Sequence, residues 1–273
     1  MARRLKQIEQ TTDFVVAGVM KWLRSTLQRV AMLDRWRFST GLLAIASVAT
    51  APGAQGQFAF SQIKSFCSVD QLGSTPFARL VQGSDGALYG TTLLGGGSLE
   101  GTVFKLNRDG SGYAVLHRFA EIAGDGAAPY GELIEASDGL LYGTTHFGGN
   151  TNQGTVFRLK RDGTDYSVLR SFAGTGGDAA NPYAGLIEGS DGVLYGTSHF
   201  GGAAHLGTVF KMDKDGIAYA VLHSFTSAEA EGVEPSGRVV EGSDGALYGT
   251  TYFGGAANQG TIFRLDRDGG NYR

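Results

Sequence analysis

Ser137-Asp138-Gly139-Leu140-Leu141-Tyr142-Gly143-Thr144-Thr145 decides the fold, because the chain states this phrase four times. It returns at 84–92, 190–198 and 243–251, so that Tyr89, Tyr142, Tyr195 and Tyr248 stand 53 residues apart at every step. A fixed period of that size is the mark of a repeat architecture in which each unit buries its face against the next.

Within the second period, four strand-sized runs occupy 132–135, 141–145, 155–159 and 166–172. Ser137-Asp138-Gly139 separates the first two and Arg161-Asp162-Gly163 the last two; Asp-Gly supplies the positive backbone angle that a tight hairpin needs. Four strands per period make one antiparallel sheet. Large aromatics recur at matched places, with Phe104, Phe157, Phe210 and Phe263 on the third strand and Phe66, Phe119, Phe172 and Phe225 closing the fourth. Sheets carrying such residues pack face to face around an axis, so the expected fold is all-β, a β-propeller built from four-stranded blades. A stacked solenoid fits less well, since its coils are shorter and carry one or two strands each.

Antiparallel order also divides the surface. The two Asp-Gly turns fall on one face, while the Gly-Gly loop (148–154) and the inter-blade connection (173–182) fall on the other. Long loops on a rigid scaffold carry binding residues, which makes the long-loop face the expected working surface. At the start of the array, 60–66 (FSQIKSF) aligns with 113–119 (YAVLHRF), a fourth strand without its first three. That strand either completes the last blade of a four-bladed ring or belongs to a larger array; both readings stay open.

Residues 1–56 are set apart as an N-terminal extension. They carry 8 Lys/Arg against 3 Asp/Glu. Charged 33–37 (LDRWR), apolar 41–51 (GLLAIASVATA) and small residues around Ala54 and Gly56 follow in the order of a secretory signal peptide, with Met32 as the expected start. The apolar run is too short to span a bilayer. The repeat domain, 57–273, holds 15 Lys/Arg against 23 Asp/Glu, a net charge of −8, which argues against a nucleic-acid or polybasic membrane surface. Cys67 is the only cysteine, so neither an internal disulfide nor a thiol pair for a metal is available.

The phrase NPYAGLIEGSDGVLYGTSHFGG, with GTVFKMDKDG and YAVLHSF after it, resembles the Gloeo/Verruco (GloVer) repeat of bacterial choice-of-anchor proteins. The likeness covers roughly residues 60–273. It implies tandem blades on exported bacterial proteins and brings no established activity to any residue.

Candidate chemistry is sparse. His146 and His199 occupy equivalent places, where the other blades hold Leu93 and Tyr252, and His205 lies in a loop nearby. Asp125 and Asp178, with Glu231, form an acidic series in the inter-blade connections. His146, His199, His205, Tyr252, Asp125 and Asp178 are therefore the expected binding residues of the long-loop face. A metal site needs three or four converging ligands, and none is assigned. Asp213-Lys214-Asp215-Gly216 opens like a calcium loop, yet Ile217 stands where the next acid belongs, so it reads as a hairpin. Glu135, Glu188 and Glu241 repeat beside the hairpin Asp; catalytic carboxyl pairs need unlike environments, and uniform repetition points to structure. No phosphate-binding loop, nucleophile elbow or dinucleotide fingerprint is present, and no cofactor is expected. The expectation is an exported, non-enzymatic binding or scaffold module whose partner is a surface glycan or another protein. The alternative is a propeller enzyme acting on saccharides or lactones, which requires one blade whose polar residues break the pattern and converge.

Overall fold

The computed structural model describes residues 61–66, 72–120, 122–228 and 231–273. The chain divides into two units, Met1–Ala59 and Phe60–Arg273, and every described residue belongs to the second. The signal-peptide reading lies outside the described residues. Among them no helix is long and apolar enough to cross a membrane.

Each period folds as one antiparallel sheet with strands in chain order. The second sheet runs Ile134–Glu135, Leu141–Thr145, Thr155–Leu159 and Ser167–Ser171; the third runs Ile187–Glu188, Leu194–Ser198, Thr208–Met212 and Tyr219–Ser224. The first begins at Val81–Gln82 and ends at Ala114–Arg118; the fourth holds Val240–Glu241, Leu247–Gly254 and Ile262–Leu265. In the second sheet the first strand is shorter than its sequence suggests, 134–135 against 132–135, and the fourth loses one residue at each end, 167–171 against 166–172.

Leu141–Thr145 is buried along its whole length, which explains why its pattern is not alternating: neighbouring sheets cover both faces. Gly143 pairs with Phe157, and a Cβ there would meet the phenyl ring at 2.5 Å. The glycine thus clears room for an aromatic lying across its strand, as Gly90, Gly196 and Gly249 do in turn. Between the second and third sheets, Tyr142, Val156 and Phe172 pack on Leu186, Leu194 and Met212. The same constellation shifted by 53 residues fills the joints on either side. Each fully buried aromatic or aliphatic side chain contributes about 1.5–3 kcal/mol.

Polar groups repeat as strictly. The Tyr142 hydroxyl donates to Asp138 at 2.7 Å, and Asp138 also accepts the Leu140 N–H, closing the hairpin. Ser137 donates its N–H and hydroxyl to Glu188 of the next sheet, while Lys214 of that sheet reaches the same hydroxyl at 2.7 Å. Glu135 with Arg161 holds Ser84, and Glu241 with Arg267 holds Ser190, in the same way. The repeated glutamates are structural clamps. At the outer edge a base from one sheet lies over a tyrosine of the next, His117 on Tyr166, Arg170 on Tyr219 and His223 on Tyr272, and Lys64 of segment 61–66 lies over Tyr113 in the same way.

Segment 61–66, expected as a strand, pairs with no sheet among the described residues but packs on the first one, with Phe66 5.4 Å from Phe104 and 5.9 Å from Tyr113. That is the place Phe119 holds toward Phe157, the fourth-strand place of a preceding blade. Beside the outer edge of Ile262–Leu265, Arg264 instead exchanges two backbone hydrogen bonds with Arg273.

Candidate functional site on the long-loop face

The connection into each innermost strand has one construction. Thr75, Ala128, Asn181 and Glu234 hold left-handed backbone angles (φ 51–58°), each directly before a proline: Pro76, Pro129, Pro182 and Pro235. Non-glycine residues pay about 1–2 kcal/mol for that conformation, and it is unusual before proline. The strained pair throws the following residue toward the inner edges of the sheets. Those residues are Phe77, Tyr130, Tyr183 and Ser236.

Three of them meet. Tyr130 and Tyr183 stack with centroids 4.9 Å apart, and Phe77 lies edge-on at 5.6 Å from Tyr130 and 6.2 Å from Tyr183. Phe77 belongs to the first sheet and Tyr183 to the third, so contact between them marks convergence on the axis. Phe77 stays 57% exposed, leaving an open aromatic surface. His146 joins the cluster, 5.2 Å from Tyr130, with Nδ1 3.3 Å from the Pro182 carbonyl. His199 lies 6.0 Å from Tyr183. Burial pushes both imidazoles below their ordinary pKa; the charge of His199 adds to the effect on His146, and Glu234 opposes it at His199. Both rings are therefore neutral near pH 7.

At the fourth sheet the pattern breaks. Ser236 replaces the aromatic, its Oγ 3.2 Å from His199 Nδ1, and Glu234 lies 3.6 Å from Nε2 of the same ring.

Of the residues expected from sequence, His146 and His199 come together here. The others do not join them. His205 is exposed on its loop, at φ 59°. Tyr252 is exposed and packs only on Phe253 among the described residues. Asp125 is buried and accepts from the Ala120 and Gly126 N–H groups, from His117 and from the Tyr166 hydroxyl. Asp178 is held likewise by Arg170, Ala173, Ala179 and Tyr219. Both carboxylates are sockets between sheets, with their oxygens occupied. Sequence reasoning passed over Phe77, Tyr130 and Tyr183; the signal was the aligned Pro-aromatic step, TPF, APY and NPY. Among the described residues, no three His, Cys, Asp or Glu side chains are grouped as metal ligands.

Four-stranded sheets in sequence order, packed face to face and meeting at their first strands, define a β-propeller repeat protein. The chain belongs to the Gloeobacter/Verrucomicrobia repeat family, whose profile matches residues 51–230 and, overlapping, 165–273. No curated protein matches the sequence. Among solved structures, a chain of a nidogen/laminin complex superposes with a TM-score of 0.51 at 17% identity, covering 72% of this chain and 63% of its own. A protein of unknown function from Dyadobacter fermentans superposes with a TM-score of 0.50 at 13% identity, covering 75% and 69%. At such identities the likeness shows the fold alone. A gluconolactonase from Xanthomonas campestris, at TM-score 0.45, 18% identity and coverages of 70% and 58%, is too distant to carry an argument.

Proposed function

We propose that this protein is an exported binding module that takes a saccharide on its long-loop face. The carrying observation is the axial cluster: Phe77, Tyr130 and Tyr183, one from each of three successive repeats, offer an open aromatic surface. Sugar rings stack on such surfaces through their C–H faces, and the neutral histidines beside it accept or donate hydrogen bonds to hydroxyls. Export rests on the leader pattern of 33–56, and a glycan at the cell surface is the partner that location offers. The protein is read as non-enzymatic because Glu135, Glu188 and Glu241 repeat as clamps and the oxygens of Asp125 and Asp178 are occupied between sheets. A glycan array probed with the full chain tests the reading. Binding that Phe77→Ala and Tyr183→Ala both abolish supports it; an array blank for the wild type, or binding indifferent to both changes, overturns it.

A second reading has one observation in its favour. Ser236 and Glu234 break the repeat, on either side of the His199 ring, where an enzyme on lactones or saccharide esters would need it. Ser236 Oγ would bond to the acyl carbon as His199 takes its proton. The alkoxide leaves with that proton, and water then frees the acyl group. Ester hydrolysis by the wild type that Ser236→Ala removes, with glycan binding intact, selects this reading.

A further inference from the structure

We propose, resting on the saccharide reading above, that the ligand is a linear chain of several neutral sugar units laid along an unbroken belt of rings. The belt crosses from the second repeat to the third, and six rings touch in turn. Phe147 meets His146 at 4.5 Å, His146 meets Tyr130 at 5.2 Å, and Tyr130 meets Tyr183 at 4.9 Å. Tyr183 then meets His199 at 6.0 Å, and His199 meets Phe200 at 4.4 Å. None of the six is buried, and the belt ends at phenyls that are 41% and 39% exposed. Phe77 stands edge-on at its middle. A pyranose is about the size of one phenyl ring, so a single sugar covers the central stack and leaves both ends bare. Only a chain of sugars covers the line, and rings exposed in a line mark a binding track.

Two short ladders fix the belt. Gly126–Ala127 pairs with Phe147–Gly148, and Ala179–Ala180 pairs with Phe200–Gly201. The His146 N–H donates to the Ala128 carbonyl at 3.0 Å, and the His199 N–H to the Asn181 carbonyl at 3.2 Å. Each ladder therefore ties a His-Phe pair to the backbone that leads through the pre-proline turn to the tyrosine of the same repeat. The rings are in place before a ligand arrives, which keeps the ordering cost of binding low. Neither the Tyr130 nor the Tyr183 hydroxyl has a hydrogen-bond partner among the described residues, so both are free for sugar hydroxyls. The net charge of −8 over 57–273 disfavours a polyanionic chain.

The outer repeats share the period without the belt. In the first, Leu93 and Leu94 replace the His-Phe pair. In the fourth, Tyr252 and Phe253 touch at 4.6 Å, but Ser236 stands where an aromatic would link them to the axis. Phe253 is 40% exposed, the equal of Phe147 in position and exposure, yet off the track.

Titration calorimetry of the full chain against cello-, malto-, laminari-, manno- and chito-oligosaccharides of one to six units, and against oligogalacturonates, tests this. In a neutral series that binds, affinity is expected to rise about tenfold or more from disaccharide to hexasaccharide. Phe147→Ala and Phe200→Ala are each expected to cost the hexasaccharide about three- to tenfold and the disaccharide nothing, whereas Phe253→Ala changes neither. All three side chains are exposed, and circular dichroism verifies retained strands. Affinity that stays flat beyond the disaccharide, while Tyr183→Ala still abolishes binding, overturns the chain and leaves the saccharide reading standing. A Phe253→Ala loss equal to that of Phe147→Ala does the same, as does a preference for oligogalacturonates. Binding on the glycan array with none from these neutral series also overturns the chain alone; silence in both overturns the two readings together.

Discussion

Tyr130 and Tyr183, 53 residues apart in sequence, lie nearly parallel with their ring centroids 4.9 Å apart. Their contact turns a repeat that each sheet carries singly into a shared surface. Truncating Tyr183 to Ala removes one ring and unseats the other. Saccharide affinity is expected to fall about tenfold, equivalent to about 1.4 kcal/mol. Tyr183→Phe keeps the stack and is expected to lose less than half of that. Titration calorimetry of both variants against the best array ligand checks the ordering.

Tyr142 is wholly buried, and its hydroxyl donates to Asp138. Asp138→Ala leaves that hydroxyl without its carboxylate and opens the hairpin, at a cost of about 1–3 kcal/mol. Tyr142→Phe in the same background removes the orphaned group and is expected to restore part of the loss. Denaturant midpoints for the four members of the cycle give the coupling directly.

Gly139 and Gly143 are expected to fail for different reasons when changed to Ala. Gly139 has φ 78° and open space around its missing Cβ, so only backbone strain of about 1–2 kcal/mol applies. At Gly143 the added methyl meets Phe157 at 2.5 Å and Leu133 at 2.8 Å, an overpacking cost of about 1–3 kcal/mol. Phe157→Leu is expected to offset part of the second loss and none of the first. Thermal unfolding of the single and paired variants separates the two.

His146 has its folded-state pKa held below the ordinary value, chiefly by burial. The unfolded chain therefore binds the proton more readily than the folded one. The stability contribution is intact above about pH 6.5, the unfolded value, and is lost as pH falls through and below it. His146→Gln is expected to show a smaller drop in melting temperature between neutral and mildly acidic buffer than the wild type. His199→Gln removes a repelling charge and is expected to raise the His146 titration midpoint, read from its ring proton shifts.

Much of this molecule could be read before any coordinates. Period, glycine turns and recurring aromatics named the sheets because each is a local consequence of strand and hairpin geometry. Leu141–Thr145 and Thr155–Leu159 fall where the pattern placed them. The site was legible only in part. His146 and His199 stood out as exceptions to the repeat, whereas Phe77, Tyr130 and Tyr183 obey it and so drew no notice. Their importance is three-dimensional: a residue repeated at the inner edge of successive sheets meets its own copies, and one repeated at the outer edge does not. Asp125 looked equally available in sequence, since nothing in the chain announces that four donors from two sheets surround it.

The clamp draws Ser137 from one period and both Glu188 and Lys214 from the next, and the joints at Ser84 and Ser190 do the same. Unequal recombination between two copies of the coding segment would therefore add or delete a whole unit while leaving each junction chemically complete, wherever the breakpoint fell. Blade number in this lineage is a quantity that inheritance can adjust without redesigning a single contact.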